Sequence, residues 1–301
     1  IGYLIDITFL PTGIETESLK RAKGGQLDPN ALSLLIIISL PILAHWFFTT
    51  RIASAKVLSA ALIVLNCVAI VLTYSRGGAF GLLFVGALLV LYHVRRFRPK
   101  YLGFITIIVL FAIIMAAFFV PSRYWERLKT VKDTESSRAV ARRISYIYVA
   151  WDAFKKEPLF GSGPGTFRDI YAHTSYAPHF TESLEPEIGA YRRVAHNTYL
   201  EVLVGTGILG LIAFLLIVVY ALNNFFMAIK KLQSHGKKDL ASLVGAYQIS
   251  FIAMLFYLIV YSAQFHKYLF LSLALSQVAL RLSQETGDRE HESDENGALN
   301  Q

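Results

Sequence analysis

Seven apolar runs, each long enough to cross or nearly cross about 30 Å of hydrocarbon, constrain this chain more than any other feature. They lie at 31–48, 57–74, 78–94, 101–120, 199–227, 243–262 and 267–282, and the chain is 54% hydrophobic with a mean hydropathy of +0.48. The pattern predicts an all-α polytopic membrane protein with about seven transmembrane helices. The fifth run exceeds one upright crossing, so it predicts a helix that tilts or extends beyond the bilayer. Only Ala263, Gln264, Phe265 and His266 separate the last two runs, which predicts a tight helical hairpin.

Lys and Arg gather in three short connections: Arg51 with Lys56, the stretch Arg95-Arg96-Phe97-Arg98-Pro99-Lys100, and Lys230-Lys231 through Lys237-Lys238. The positive-inside rule places all three in the cytoplasm. The chain then divides into an external loop (1–30), four transmembrane helices (31–120), a large external loop (121–195), three transmembrane helices (196–282) and a cytoplasmic tail (283–301). The tail is acidic and rich in Gly, Asn and Gln, a composition that predicts disorder. The chain opens on Ile1 and a polar, Gly- and Pro-bearing stretch with no signal-peptide pattern, which reads as the continuation of a larger membrane protein. The net charge of +8 is accounted for by topology and the external loop, so anionic or phosphorylated lipids are expected as partners and nucleic acid is not. Cys67, the sole cysteine, falls inside an apolar span and reads as a packing residue.

The loop 121–195 is about seventy-five residues long, beyond ordinary connections, and such loops are usually functional or disordered. Its middle predicts order. Ile144, Ile147, Tyr148, Trp151 and Phe154 recur at helical spacing, with Ser145, Asp152, Lys155 and Lys156 mainly elsewhere and Pro158 as a terminator. Two placements stand open for this amphipathic helix: at the membrane interface, or packed on its own loop. The glycines of Gly161-Ser162-Gly163-Pro164-Gly165 could turn amides toward an anion. Without a Walker lysine or a dinucleotide-fold context, a structural turn is the favoured reading.

Three ionisable residues fall on the outer face of this topology: Arg76, Arg143 and His196. Ionisable groups at a membrane edge are functional candidates. Two guanidiniums can hold a diphosphate by paired charge-assisted bonds. An imidazole of ordinary pKa near 6.5 can accept a hydroxyl proton at neutral pH. Together they suit glycosyl transfer from a lipid diphosphate: an acceptor hydroxyl attacks the anomeric carbon, His196 takes the proton, and the arginines stabilise the departing phosphate. Asn197 can orient the histidine, contact substrate or cap the following helix. The chain has no Asp-x-Asp pair, His-Glu-x-x-His motif or cysteine cluster, so a metal-independent reaction without a cofactor is expected.

Four segments carry a resemblance to the O-antigen ligase and polymerase family of bacterial membrane glycosyltransferases. They are Asp28-Pro29-Asn30 with Leu40-Pro41; Ser75-Arg76-Gly77-Gly78; Arg143 with the stretch from Pro158 to Gly165; and His196-Asn197-Thr198-Tyr199-Leu200 with 207–214. Their order and the intervening loop match the family from Asp28 to Leu282, and family members with about a dozen spans imply that this is a C-terminal portion. The resemblance implies an undecaprenyl-diphosphate-linked glycan donor, transfer on the periplasmic face of the bacterial inner membrane, and inversion at the anomeric carbon. It puts Arg76, Arg143 and His196 on the family's functional arginine and histidine positions. Arg138 and Arg142 are alternatives to Arg143, chosen among by spacing to Pro158, and Arg192 and Arg193 are further candidates for phosphate contact. Many relatives carry an acid nine positions after the histidine, where this chain has Gly205, and Glu201 is the nearest substitute. Ligation of O-antigen to lipid A core is the leading expectation. A polymerase of lipid-linked repeat units or an O-linked protein oligosaccharyltransferase would share the donor and differ in the hydroxyl acceptor. A lipid or glycan transporter is the alternative from another class, expected instead to carry mid-bilayer charges and internal repeats.

Overall fold

The computed structural model describes residues 28–73, 75–94, 134–180 and 191–299, with side chains at all of these except 93–94, 134–139 and 287–299. The described residues form helices and connections without strands. The helices are α1 (Pro29–Thr49), α2 (Ala53–Leu72), α3 (Arg76–Val94), α4 (Thr134–Lys156), α5 (Phe167–Ala172), α6 (Tyr176–His179), α7 (Thr198–Ser234), α8 (Lys238–Tyr257) and α9 (Lys267–Leu299). Of these, α1, α2, α7 and α8 are long and apolar enough to cross a membrane, while the apolar part of α3, Arg76–Tyr92, is shorter. The expected span at 101–120 lies outside the described residues.

The chain divides into two compact units. The first contains α1, α2, α3 and the part of α8 from Gly245 to Tyr257. Asp28 caps α1 by accepting from the Asn30 amide at 2.8 Å, and Pro29 occupies the first turn, where its missing N–H costs nothing. Leu34, Ile37 and Leu40 are buried, and Gly81 leaves room for Ile37 and Tyr257. The helix ends are joined by a polar knot. Ser75 Oγ donates to Asn30 Oδ1 at 2.8 Å and accepts from the Gly78 amide at 3.0 Å, while Tyr257 donates to the Asn30 carbonyl at 3.1 Å. In an apolar setting these bonds replace the water the groups would otherwise need.

The second unit contains α4, α5, α6, α7, α9 and the connection 258–266. Its loop core is Tyr146, Val149, Ala150, Ala153, Phe167, Tyr171, Ala177, Ala195 and Val204. The buried face of α4 is therefore Ser145, Tyr146, Val149, Ala150 and Ala153. Ile144, Ile147, Tyr148 and Trp151, the stripe that predicts an amphipathic helix, are exposed. A helix packed through that stripe is not what forms.

The long apolar run is a helix broken at Gly207, whose φ of 65° and ψ of −166° belong to a region that side chains exclude. The break frees four backbone groups, and the Pro158–Gly163 loop meets all four. Ser162 and Gly163 amides donate to the Val204 and Gly205 carbonyls at 2.8 and 3.0 Å, and the Ile208 and Leu209 amides donate to the Pro158 and Leu159 carbonyls at 2.9 and 3.4 Å. Gly161 and Gly207 permit the approach, since a Cβ on either would meet the facing backbone. Further along, Asn224 Nδ2 donates to Ser276 Oγ at 3.4 Å, a buried polar pair between α7 and α9.

Two expectations change. Helix α8 ends at Tyr257, not near Ser262, so nine residues, 258–266, link it to α9 in place of a four-residue hairpin turn. The polar groups of this longer link are needed elsewhere, as the site below requires. At the other end, α9 continues through Leu299, giving helix where composition predicts an irregular tail. Extending an existing helix avoids the nucleation cost of a new one, and an Arg281 to Glu285 pair at 3.2 Å lies one turn apart on it.

Candidate functional site

His196 sits immediately before α7 with a φ of 50°, a left-handed conformation that costs a non-glycine residue about 1 to 2 kcal/mol. Its flanks are pinned. The Ala195 amide donates to Glu201 Oε1 at 2.9 Å, and the Asn197 amide donates to Ser262 Oγ at 3.2 Å. Asn197 is the N-cap of α7, its Oδ1 accepting from the Leu200 amide at 3.1 Å. Thr198 binds the 258–266 connection three times: its amide donates to Leu258 O, its hydroxyl donates to Tyr261 O, and the hydroxyl accepts from the Ala263 amide. The connection that sequence pattern assigns to helix thus serves as the seat of the histidine.

The imidazole lines a cleft of about 560 Å³ together with Arg168, Asp169, Arg192, Arg193 and Val194. Three guanidiniums against one carboxylate leave the lining cationic, suited to an anion with several oxygens. Arg192 Nε meets Asp169 Oδ1 at 2.7 Å, with both side chains more than half exposed. An ion pair that open to water contributes at most about 1 kcal/mol, so an incoming phosphate can compete for the arginine.

Behind the cleft, the Tyr146 ring lies 6.1 Å from the His196 ring, tilted by 40°. Burial pushes the Tyr146 hydroxyl pKa upward, with Tyr171 adding to the rise, while the positive charges of Arg142, Arg193 and Arg143 oppose it. The same tyrosine therefore has His196 beside it and feels three of the sequence-predicted arginines. Arg143 is exposed and Arg142 half-buried on α4; Arg138 lies earlier on that helix, its side chain outside the described residues.

Arg76 belongs to the first unit, exposed at the first residue of α3 just beyond the Ser75 knot. A cation at a helix N-terminus opposes the macrodipole, so the position suits an anion held there more than it suits the helix. The structure therefore gathers Arg142, Arg143, Arg192, Arg193 and His196 in one unit, while Arg76 is built into the other. Asn197 commits its side-chain oxygen to capping. The glycine loop commits the amides of Gly161, Ser162, Gly163 and Thr166 to protein carbonyls, so it is a structural clasp and not an anion cradle.

Sequence reading passes over Arg168, Asp169 and the part Glu201 plays. The first two follow the glycine loop at a spacing without periodic meaning, and only the fold of α5 against 191–196 brings them to the cleft. Among the described residues no group of three or more His, Cys, Asp or Glu is arranged to hold a metal.

The apolar helices define a multi-pass membrane protein, and one of its clefts is lined by three arginines, an aspartate and a histidine. The chain belongs to the O-antigen ligase family, which matches residues 60–215, just over half of its 301 residues. That membership makes it a membrane glycosyltransferase of the O-antigen ligase and polymerase type. No curated protein matches the chain.

Proposed function

We propose that this protein transfers a glycan from an undecaprenyl-diphosphate donor to an acceptor hydroxyl on the periplasmic face of the bacterial inner membrane, by inversion and without a metal, with O-antigen ligation to lipid A core as the reaction. The observation that carries this reading is the cleft in which His196 meets Arg168, Arg192 and Arg193. The acceptor oxygen forms a bond to the anomeric carbon as the bond from that carbon to the diphosphate oxygen breaks. The acceptor proton passes to His196, and undecaprenyl diphosphate departs with its charge held by guanidiniums. A single displacement of this kind inverts the anomeric carbon.

Arg143 and Arg76 are the proposed diphosphate ligands, supported by the exposure of Arg143 on the helix whose Tyr146 ring lies beside His196 and by the exposed helix start that carries Arg76. Under the positive-inside rule, Arg76 and His196 are expected at outer helix ends and Arg143 in the external loop between them. The exposed stripe of α4 supports contact with lipid, because a contiguous row of aromatic and aliphatic side chains is stabilised by leaving water.

The test is to incubate the complete protein in lipid with a labelled undecaprenyl-diphosphate glycan, with and without lipid A core, alongside His196→Ala. Label moving to core only when core is present identifies a ligase. Longer glycans on the carrier in its absence identify a polymerase, which overturns the ligation assignment and keeps the donor chemistry. Wild-type turnover by His196→Ala removes the base assignment, and absence of either product sinks the proposed donor chemistry.

A further inference from the structure

Glu201 is the only acidic residue among the buried polar groups of the described residues, 4% exposed in the first turn of a helix whose first half is mostly apolar. Burying a carboxylate is costly unless donors surround it. Three donors do: the Ala195 amide at 2.9 Å and Ser262 Oγ at 3.0 Å on Oε1, and Gln264 Nε2 at 2.9 Å on Oε2. Ser262 uses its proton on Glu201 and its lone pair on the Asn197 amide at 3.2 Å. One carboxylate oxygen is therefore bonded directly to the residue before His196 and, through one hydroxyl, to the residue after it. Between those two anchors lies the left-handed φ of 50° at His196 itself.

A strained conformation persists only where its surroundings over-determine it. We infer that Glu201 is a positioning residue, clamping the backbone on both sides of His196 so that the imidazole is presented to the cleft. This rests on the proposed role of His196, although the clamp itself is a property of the fold. Gly205, one turn after Glu201, is fixed by packing instead. A Cβ at Gly205 would lie 3.1 Å from both Gly163 O and Pro164 Cα, so the glycine seats the loop, and the carboxylate acts one turn earlier.

The test compares the complete protein in lipid nanodiscs as wild type, Glu201→Ala, Glu201→Gln, Ser262→Ala and His196→Ala. Two quantities are read: amide hydrogen exchange over 194–200 without donor, and steady-state transfer from a labelled undecaprenyl-diphosphate glycan. Glu201→Ala should speed exchange over that segment, lower kcat about tenfold and leave KM for the donor within roughly twofold, the pattern of a group that acts through another. Glu201→Gln should recover most of kcat, because its remaining carbonyl can serve Ala195 and Ser262 while Gln264 turns its own oxygen toward the new amide. Ser262→Ala removes the Asn197 arm and one of the three donors to the carboxylate, leaves the Ala195 arm in place, and should cost about threefold in kcat; it carries the test if Glu201→Ala does not fold.

Unchanged exchange in both alanine variants overturns the clamp. Faster exchange with wild-type kcat overturns its bearing on His196, and a Gln variant as impaired as Ala overturns the geometric account. Wild-type turnover by His196→Ala would remove the base reading alone, since the exchange result needs no reaction.

Discussion

Each unit closes its helix ends with a polar knot, and the two knots are built differently. In the first, Asp28 supplies the cap while Asn30, Ser33, Thr73 and Ser75 exchange bonds between neutral groups. In the second, a buried carboxylate, a threonine with three bonds and a broken helix surround a histidine with positive φ. The first knot stabilises helix ends by satisfying groups that lack water. The second does that too, and also holds strain at one residue that faces a cationic cleft. Strain maintained at cost beside ionisable groups is where chemistry belongs, whereas the unstrained knot places Arg76 and is otherwise packing.

The sharpest way to break the contrast is Gly207→Ala. An alanine there must adopt a glycine-only conformation and meet the Leu159 carbonyl, so a loss of roughly 3 kcal/mol or more is expected, read as a large fall in melting temperature in detergent. Transfer should fail with it, because the displaced loop leads directly to Arg168. An alanine variant that melts like wild type would mean that the loop and the broken helix are not clasped.

Arg143→Lys tests the second unit's chemistry at full charge. Losing the planar fork should reduce kcat/KM about tenfold without altering melting, and wild-type kinetics would remove paired phosphate recognition there. Ser33→Ala tests the other knot. Its hydroxyl bonds Pro29 O at 2.9 Å and Thr73 Oγ1 at 3.2 Å, so stability should fall by about 1 kcal/mol with turnover of the folded fraction unchanged. A tenfold loss of kcat in that variant would erase the distinction between the two knots.

The smallest effect concerns pH. His266, in the link before α9, has its pKa lowered by burial and by the neighbouring Lys267, and its Nδ1 is buried without a partner. A histidine whose folded pKa lies below its unfolded value favours the neutral form when folded. Its contribution is present above the unfolded pKa of about 6.5 and is lost as pH falls below it toward the folded value. Melting temperature should drop modestly on acidification from pH 7, and His266→Gln should flatten that slope. An identical slope in the variant would assign the acid sensitivity to other groups.

The apolar runs made the helical, multi-pass membrane class legible, since transfer free energy depends on the residues themselves and their number in sequence. Arg76 and His196 stood out for the same reason, as ionisable groups placed where apolar helices begin. Periodicity found α4 and left its placement open between the membrane interface and its own loop. The helix packs on the loop through Tyr146, Val149, Ala150 and Ala153 and leaves the larger apolar stripe exposed, a choice that composition alone does not make because large apolar side chains can seek lipid as readily as protein. The glycine loop read as a turn, while its partner, the break at Gly207, was invisible: both conformations are set by four bonds between segments over forty residues apart. Glu201 read as a stand-in for a missing acid. Its partners at 195, 262 and 264 meet only when the chain closes, and so do Arg168 and His196 around the cleft. Hydropathy and local spacing are additive along the chain and were decided by sequence alone; the hydrogen-bond partners of the buried carboxylate, the strain at His196 and the composition of the cleft depend on distances across the fold, which only the tertiary structure fixed.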